Sequence, residues 1–178
     1  MYKHVIEAEN QQADVIEMSL EIPLVAVFKE DAQPAIQIAG KWGFVLKKSV
    51  NNGLFLQLEA GVLSLINADK PKEGGVFVDF ASDALTYRRK HGGGKQEFIA
   101  RAVGLKGKKG VTVVDATGGL GRDAFLLASL GCQVTLIERS PGVAALLENG
   151  LDRATVNSEL ESWLPQRLKL IYGDSKSQ

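Results

Sequence analysis

The sequence predicts an α/β protein: a parallel sheet wound with helices in its second half, preceded by a small mixed α/β unit. Three observations carry this. Val111, Val113 and Val114 form a β-branched run without polar alternation, the pattern of a strand buried on both faces of a parallel sheet. Gly118, Gly119 and Gly121 then make a turn. Good helix formers follow over residues 122–130, with Gly131 at the C-terminal cap. A second apolar run over 133–137 closes a strand–turn–helix–strand unit, and each strand ends in a carboxylate, Asp115 and Glu138.

The whole chain sets bounds on function. Its 178 residues carry 21 Lys plus Arg against 21 Asp plus Glu, so no overall charge points to nucleic acid or a membrane. One cysteine, Cys132, excludes an internal disulfide and fits a reducing cytoplasm. It stands at the start of a strand and reads as a small core side chain rather than a nucleophile. No stretch approaches the ~20 apolar residues of a membrane span, and the acidic N-terminus (Glu7, Glu9, Asp14, Glu17) has no apolar signal core. A cytoplasmic protein with no membrane partner and no metal is expected.

Taken in order, residues 1–20 are weakly periodic and read as a poorly ordered lead-in. Residues 24–28 predict a strand. Residues 31–40 predict a short helix with Asp31 as N-cap, Pro34 in the first turn and Gly40 as stop. Asn51-Asn52-Gly53 signals a turn into a strand over 54–58, and Gly61 separates this from a strand over 62–66 as a hairpin. A loop over 70–75 leads to a strand over 76–80. Residues 1–80 therefore read as a small mixed α/β domain rich in antiparallel strands.

Residues 81–110 read as a basic connection. Helices are expected over 83–90 and 95–103, interrupted by Gly92-Gly93-Gly94, with Phe98, Ile99, Ala102 and Val103 on the inner face of the second. Between Thr86 and Gly110 eight basic residues meet one acidic residue, Glu97, a net +7 that the rest of the chain offsets. Such a run is either a solvated face or a contact for a phosphate backbone. Residues 111–178 hold the glycine loop and its sheet. Ser140-Pro141 starts a helix whose core face is Val143, Leu146, Leu147 and Leu151. A short helix over 158–164, stopped by Pro165, and a third strand over 167–172 complete the pattern.

The glycine loop is a nucleoside-cofactor site, and two cofactors compete for it. Gly119, Gly121 and Ala124 match G-x-G-x-x-A, the dinucleotide fingerprint. That favours a nicotinamide-dependent oxidoreductase. Asp115, however, precedes the glycines at the strand end. A carboxylate there repels a pyrophosphate and suits the sulfonium and ammonium of S-adenosylmethionine. Glu138 is placed for two ribose hydroxyls, and Asp174 and Ser175 for the adenine edge. All three strand ends fall on the rim where such sheets bind ligands.

The strings DATGGLGRDAFLLASLGCQVTLIERSPGVAALLENGL and GGVFVDFASDALTYRRKHGGG resemble the bacterial ribosomal RNA small subunit methyltransferase J family. The likeness is specific over residues 74–175 and general before that. It implies a Rossmann-like class I methyltransferase fold and S-adenosylmethionine-dependent methylation of a guanine N2 in 16S ribosomal RNA or the small subunit. Position by position it places cofactor contacts on Arg122 and Asp123, on Glu138 and Arg139, and on Asp174 and Ser175. Asp115, Gly118, Gly119 and Gly121 complete the expected cofactor set. Arg88, Arg89, Lys90 and Lys95 are the expected RNA contacts, and no residue is assigned as catalytic base. The family pattern often has alanine at Gly118 and serine at Asp174, both mild differences. It also continues to a fourth strand with an Asp-Pro-x-aromatic-Pro motif for the target base, which the sequence does not reach. The resemblance thus implies a sheet truncated after its third strand and a hydrophobic edge at 111–114, to be covered either by a homo-oligomer or by a further half that this sequence does not include. A catalytically incomplete cofactor-binding fragment is the non-enzymatic alternative.

Overall fold

The computed structural model describes residues 21–106, 108 and 110–175. The expected lead-in over 1–20 and Lys109 of the basic tract lie outside the described residues.

Strand β1 (Pro23–Ala26) leads through a 3-10 turn into helix α1 (Ala32–Trp42), followed by β2 (Val45–Leu46), β3 (Leu54–Glu59) and β4 (Val62–Asn67). These strands form one sheet in the order β2-β1-β3-β4. β1 runs parallel to both its neighbours, and only β3 and β4 are antiparallel. The expectation of a unit rich in antiparallel strands is therefore corrected. α1 supplies the crossover that a parallel β1–β2 pair requires, and β2 is too short to show in the sequence. α1 also runs past Gly40. It ends at Gly43, whose φ of 72° supplies the left-handed turn and whose N–H donates to the Ala39 carbonyl at 2.9 Å.

Asp31 does not act as a side-chain cap for α1. Its buried carboxylate instead accepts from the amides of Phe28 at 3.3 Å, Ala60 at 3.0 Å and Gly61 at 2.9 Å. Ala60 and Gly61, with φ of 49° and 77°, form the two-residue hairpin loop. Their amides point inward and need an acceptor, and this demand outweighs capping.

The expected strand over 76–80 is also corrected. Val76 makes a single bridge to Leu65, after which the chain leaves the sheet. Val78 and Phe80 enter the core at 2% and 1% exposure, and Arg153 donates to the Val78 carbonyl in place of a strand neighbour.

The basic connection forms α2 (Asp83–His91), a 3-10 turn at Gly94–Gln96, and the short α3 (Phe98–Ala102). The inner face of α3 is the expected one only in part. Ala100 is fully buried, Ile99 and Val103 are half-buried, and Phe98 stands 87% exposed. The 3-10 turn and the extended Glu97 reset the helical phase, so a periodicity counted from Lys95 finds Ile99 and Val103 but places Phe98 and Ala102 inside, where Ala100 stands instead.

The second sheet contains β5 (Thr112–Asp115), β6 (Gln133–Glu138) and β7 (Leu168–Tyr172), all parallel and in the order β5-β6-β7. Helices α4 (Arg122–Ser129) and α5 (Pro141–Ala154) make the crossovers. Gly131 takes a φ of 95° just past α4, and the Ser140 hydroxyl accepts from the Val143 amide at the start of α5. Pro165 lies inside the first turn of α6 (Leu164–Arg167) and begins that helix rather than stopping one. Among the described residues β5 pairs only with β6 and leaves Val114 61% exposed, so burial of this strand on both faces is corrected.

One hydrophobic cluster joins both sheets, from Leu24, Leu56 and Leu63 through Phe80, Phe125 and Leu147 to Leu168. Phe80 stacks on Phe125 with ring centroids 5.5 Å apart. Asn149 of α5 fastens the hairpin, accepting from the Leu63 amide and donating to the Gly61 carbonyl, each at 3.0 Å. Cys132 is fully buried, and burial pushes its thiol above the ordinary range, as suits a packing side chain.

Candidate cofactor site

The parallel register sets Asp115 beside Leu136 and Glu138 beside Tyr172. The carboxylates therefore stand on one rim, at the C-terminal ends of adjacent strands. Each is partly fixed by its own turn. Asp115 Oδ1 accepts from the Thr117 amide at 3.1 Å, and Glu138 Oε1 accepts from the Ser140 amide at 2.7 Å. Asp115 Oδ2 and Glu138 Oε2 make no hydrogen bond to the described residues.

Between them the glycines do different work. The Gly121 amide donates to the Gly118 carbonyl at 2.8 Å, closing the turn. Gly121, at φ 73°, precedes α4, and a Cβ there would lie 3.0 Å from Leu147 and 3.2 Å from Phe80, so this glycine serves packing. Gly119, at φ 52°, has open space where a Cβ would stand and lines a cleft.

Two clefts meet at this loop. One, of about 430 Å³, is lined by Gly119, Glu138, Arg139, Asp174 and Ser175. The other, of about 620 Å³, is lined by Asp115, Gly118, Arg122 and Asp123, with Ile99 of α3 and Val103 at its C-terminal cap as an apolar wall. Ala116 and Thr117 line both. Nine of the ten expected cofactor residues thus border this pair of clefts, and Gly121 turns to the core. The α3 wall was not legible in sequence, because it comes from an element remote from the loop. A third cleft, of about 550 Å³, lies beside the loop between Phe77, Asp79 and α2.

Of the expected RNA contacts, three are engaged in ion pairs. Arg88 meets Glu97 at 2.9 Å and Asp123 at 3.1 Å, tying α2 to α3 and to the first turn of α4. Arg89 and Lys90 both pair with Glu159, Lys90 at 2.9 Å. The hydrogen bond from Arg88 holds the Glu97 carboxyl below the usual carboxylate range, and that from Lys90 does the same for Glu159. Arg88 and Asp123 are 35 residues apart, a separation with no local signal. Lys95 makes no ion pair among the described residues; its Nζ donates to the Lys108 carbonyl at 3.3 Å. Among the described residues no group of three or more His, Cys, Asp or Glu is placed to hold a metal ion. None of their helices is long and apolar enough to cross a membrane.

Parallel strands ending in carboxylates around an open glycine loop define a Rossmann-like, class I methyltransferase fold. A solved SAM-dependent methyltransferase of Neisseria gonorrhoeae shares it, with a TM-score of 0.71 and 33% identity over 88% of this chain and 62% of that one. A model of the SAM-dependent methyltransferase family SAM_MT matches residues 37–178, and the chain belongs to that family. The ribosomal RNA small subunit methyltransferase J of Pseudoalteromonas atlantica is 54% identical over 85% of this chain and 60% of its own length. That of Psychromonas ingrahamii is 50% identical over 88% and 61% respectively. The chain thus spans about 60% of the length of these curated relatives. The family match also begins at residue 37, well upstream of the glycine-loop and basic-segment strings. It favours the methyl-donor reading of the glycine loop over the nicotinamide one.

Proposed function

We propose that this chain holds S-adenosylmethionine in the two clefts around Gly119 and serves methyl transfer to the exocyclic N2 of a guanine in 16S ribosomal RNA. The observation that carries the reading is the pair of open carboxylate oxygens, on Asp115 and Glu138, flanking a glycine with no side chain between them. Two carboxylates on one rim fit a cationic ligand with vicinal hydroxyls and oppose a pyrophosphate. The names of the relatives, small-subunit ribosomal RNA methyltransferases, support the RNA substrate. The guanine N2 rests on the family resemblance.

In this reading the cofactor supplies a methyl group activated on a sulfonium, and the chain supplies position. Glu138 Oε2 takes ribose hydroxyls, Asp115 attracts the cationic end, and Asp174 and Ser175 border the base. Gly119 lets backbone approach closely. Arg122 and Arg139 line the two clefts as the nearest cations. A guanine amine is a weak nucleophile because its lone pair is delocalised into the ring, so the rate depends on alignment of the reacting groups. The target base must also leave any stack to be reached. A ribosomal RNA substrate supports a cytoplasmic location.

The test is transfer of a labelled methyl group to undermethylated small subunits, using this chain and the same chain extended to the length of its relatives. Label recovered on N2 of a guanine is the expected result. Label on a ring carbon, a ribose or a protein would overturn the proposed reaction.

A further inference from the structure

We infer that the RNA-facing surface of the basic segment is the outer side of α3 and the turn after it, formed by Lys95, Phe98, Arg101 and Lys106. Arg88, Arg89 and Lys90 instead tie α2 to neighbouring carboxylates. This rests on the RNA reading above and specifies which residues serve it.

Charge separates the two groups. Three cations of α2 face three carboxylates, Glu97, Asp123 and Glu159. A phosphate would have to displace an existing partner at each, so little counterion release is gained there. Arg89 is only 20% exposed along its side chain, deeper than a backbone contact needs. Lys95, Arg101 and Lys106 are exposed and meet no carboxylate among the described residues. The chain folds back on itself here. Leu105, 1% exposed, pins the turn into the core, and the Lys95 ammonium reaches the Lys108 carbonyl. Lys95 and Lys108, from either side of Gly104, are thereby brought together.

Among them stands Phe98, 87% exposed, on a helix whose opposite side is anchored by fully buried Ala100. Phe98 and Arg101 are three apart in α3 and share a face. An uncovered ring flanked by unpaired cations is the pairing that holds unstacked bases, with the ring under a base and the cations on the backbone. An apolar protein partner would have to desolvate those cations. The same helix, with its C-terminal cap, presents Ile99 and Val103 to the Asp115 cleft, so RNA held on its outer side is carried by an element that also walls the proposed cofactor site.

The test is fluorescence anisotropy of the 178-residue chain with a labelled single-stranded small-subunit RNA fragment over a range of salt. Lys95→Ala/Arg101→Ala/Lys106→Ala should flatten the dependence of log affinity on log salt by about two, at roughly 0.7 per lost phosphate contact. Phe98→Ala should weaken binding about tenfold with the slope unchanged. Arg89→Ala/Lys90→Ala should keep both affinity and slope but lower the thermal midpoint. Retained S-adenosylhomocysteine binding shows that each variant is folded. If the double variant flattens the slope and the triple does not, the inference is overturned. If Phe98→Ala spares RNA binding and abolishes self-association instead, the ring is a contact between copies and the inference also fails. A parent chain with no RNA affinity at low salt would remove the RNA reading itself.

Discussion

At the scale of single residues, the site turns on where carboxylates and glycines sit relative to one another. In the proposed reading, Asp115 before the glycines, rather than after them, sets the loop apart from a dinucleotide site, and that order is readable directly from the sequence. What each glycine does was not. Gly119 and Gly121 both adopt positive φ, yet one faces a cleft and the other the Leu147–Phe80 core. Gly119→Ala places a Cβ on a left-handed residue, at a cost of about 1–2 kcal/mol, and projects it into the open cleft. The expected outcome is a modest drop in thermal midpoint and a loss of S-adenosylhomocysteine affinity larger than that drop explains, measured by calorimetry beside the parent.

At the scale of elements, two glycines in helices give opposite predictions. Gly40 lies inside α1 with nothing within 4 Å of an added Cβ. Gly40→Ala should therefore stabilise the fold by about 1 kcal/mol, the usual helix-propensity gain. Gly150 lies inside α5, where a Cβ would meet Val78 at 2.5 Å on its side chain and 3.0 Å on its carbonyl. Gly150→Ala should destabilise by about 1–3 kcal/mol, because backbone must shift. Chemical denaturation of both variants reads the two signs together. Gly40 reads as a helix stop in sequence because glycine often ends helices; the chain continues because Gly43 supplies the left-handed residue. The same elements predict a pH dependence. Glu97 has a depressed folded pKa, so its pair with Arg88 stabilises above the ordinary carboxylate pKa and that stabilisation is lost as pH falls through the depressed value. Arg88→Gln should lower the thermal midpoint at neutral pH. The gap to the parent should then narrow as the solution is acidified below the carboxylate range.

At the scale of the molecule, both sheets share one core, with α5 fastened to the β3–β4 hairpin through Asn149 and to α1 through Lys41 and Glu148 at 2.6 Å. The second sheet was legible almost element by element, because its apolar runs, Ser140-Pro141 and Gly131 are strong local signals. The first sheet was legible as strands but not as a pairing. Whether β1 lies parallel to β3 depends on a crossover that no short-range pattern encodes, and the Asp31 carboxylate answers amides 29 and 30 residues away. The candidate cofactor residues were found at the strand ends, while the α3 wall and the Arg88–Asp123 tie come from segments that meet only in the folded chain. The most direct measurement is calorimetric titration of the 178-residue chain with S-adenosylhomocysteine and with NADH, alongside Glu138→Gln. One S-adenosylhomocysteine site per chain, weakened about tenfold or more in Glu138→Gln as a charged hydrogen-bond acceptor is lost, with no NADH signal, is the predicted result. Tight NADH binding without an S-adenosylhomocysteine signal would contradict it.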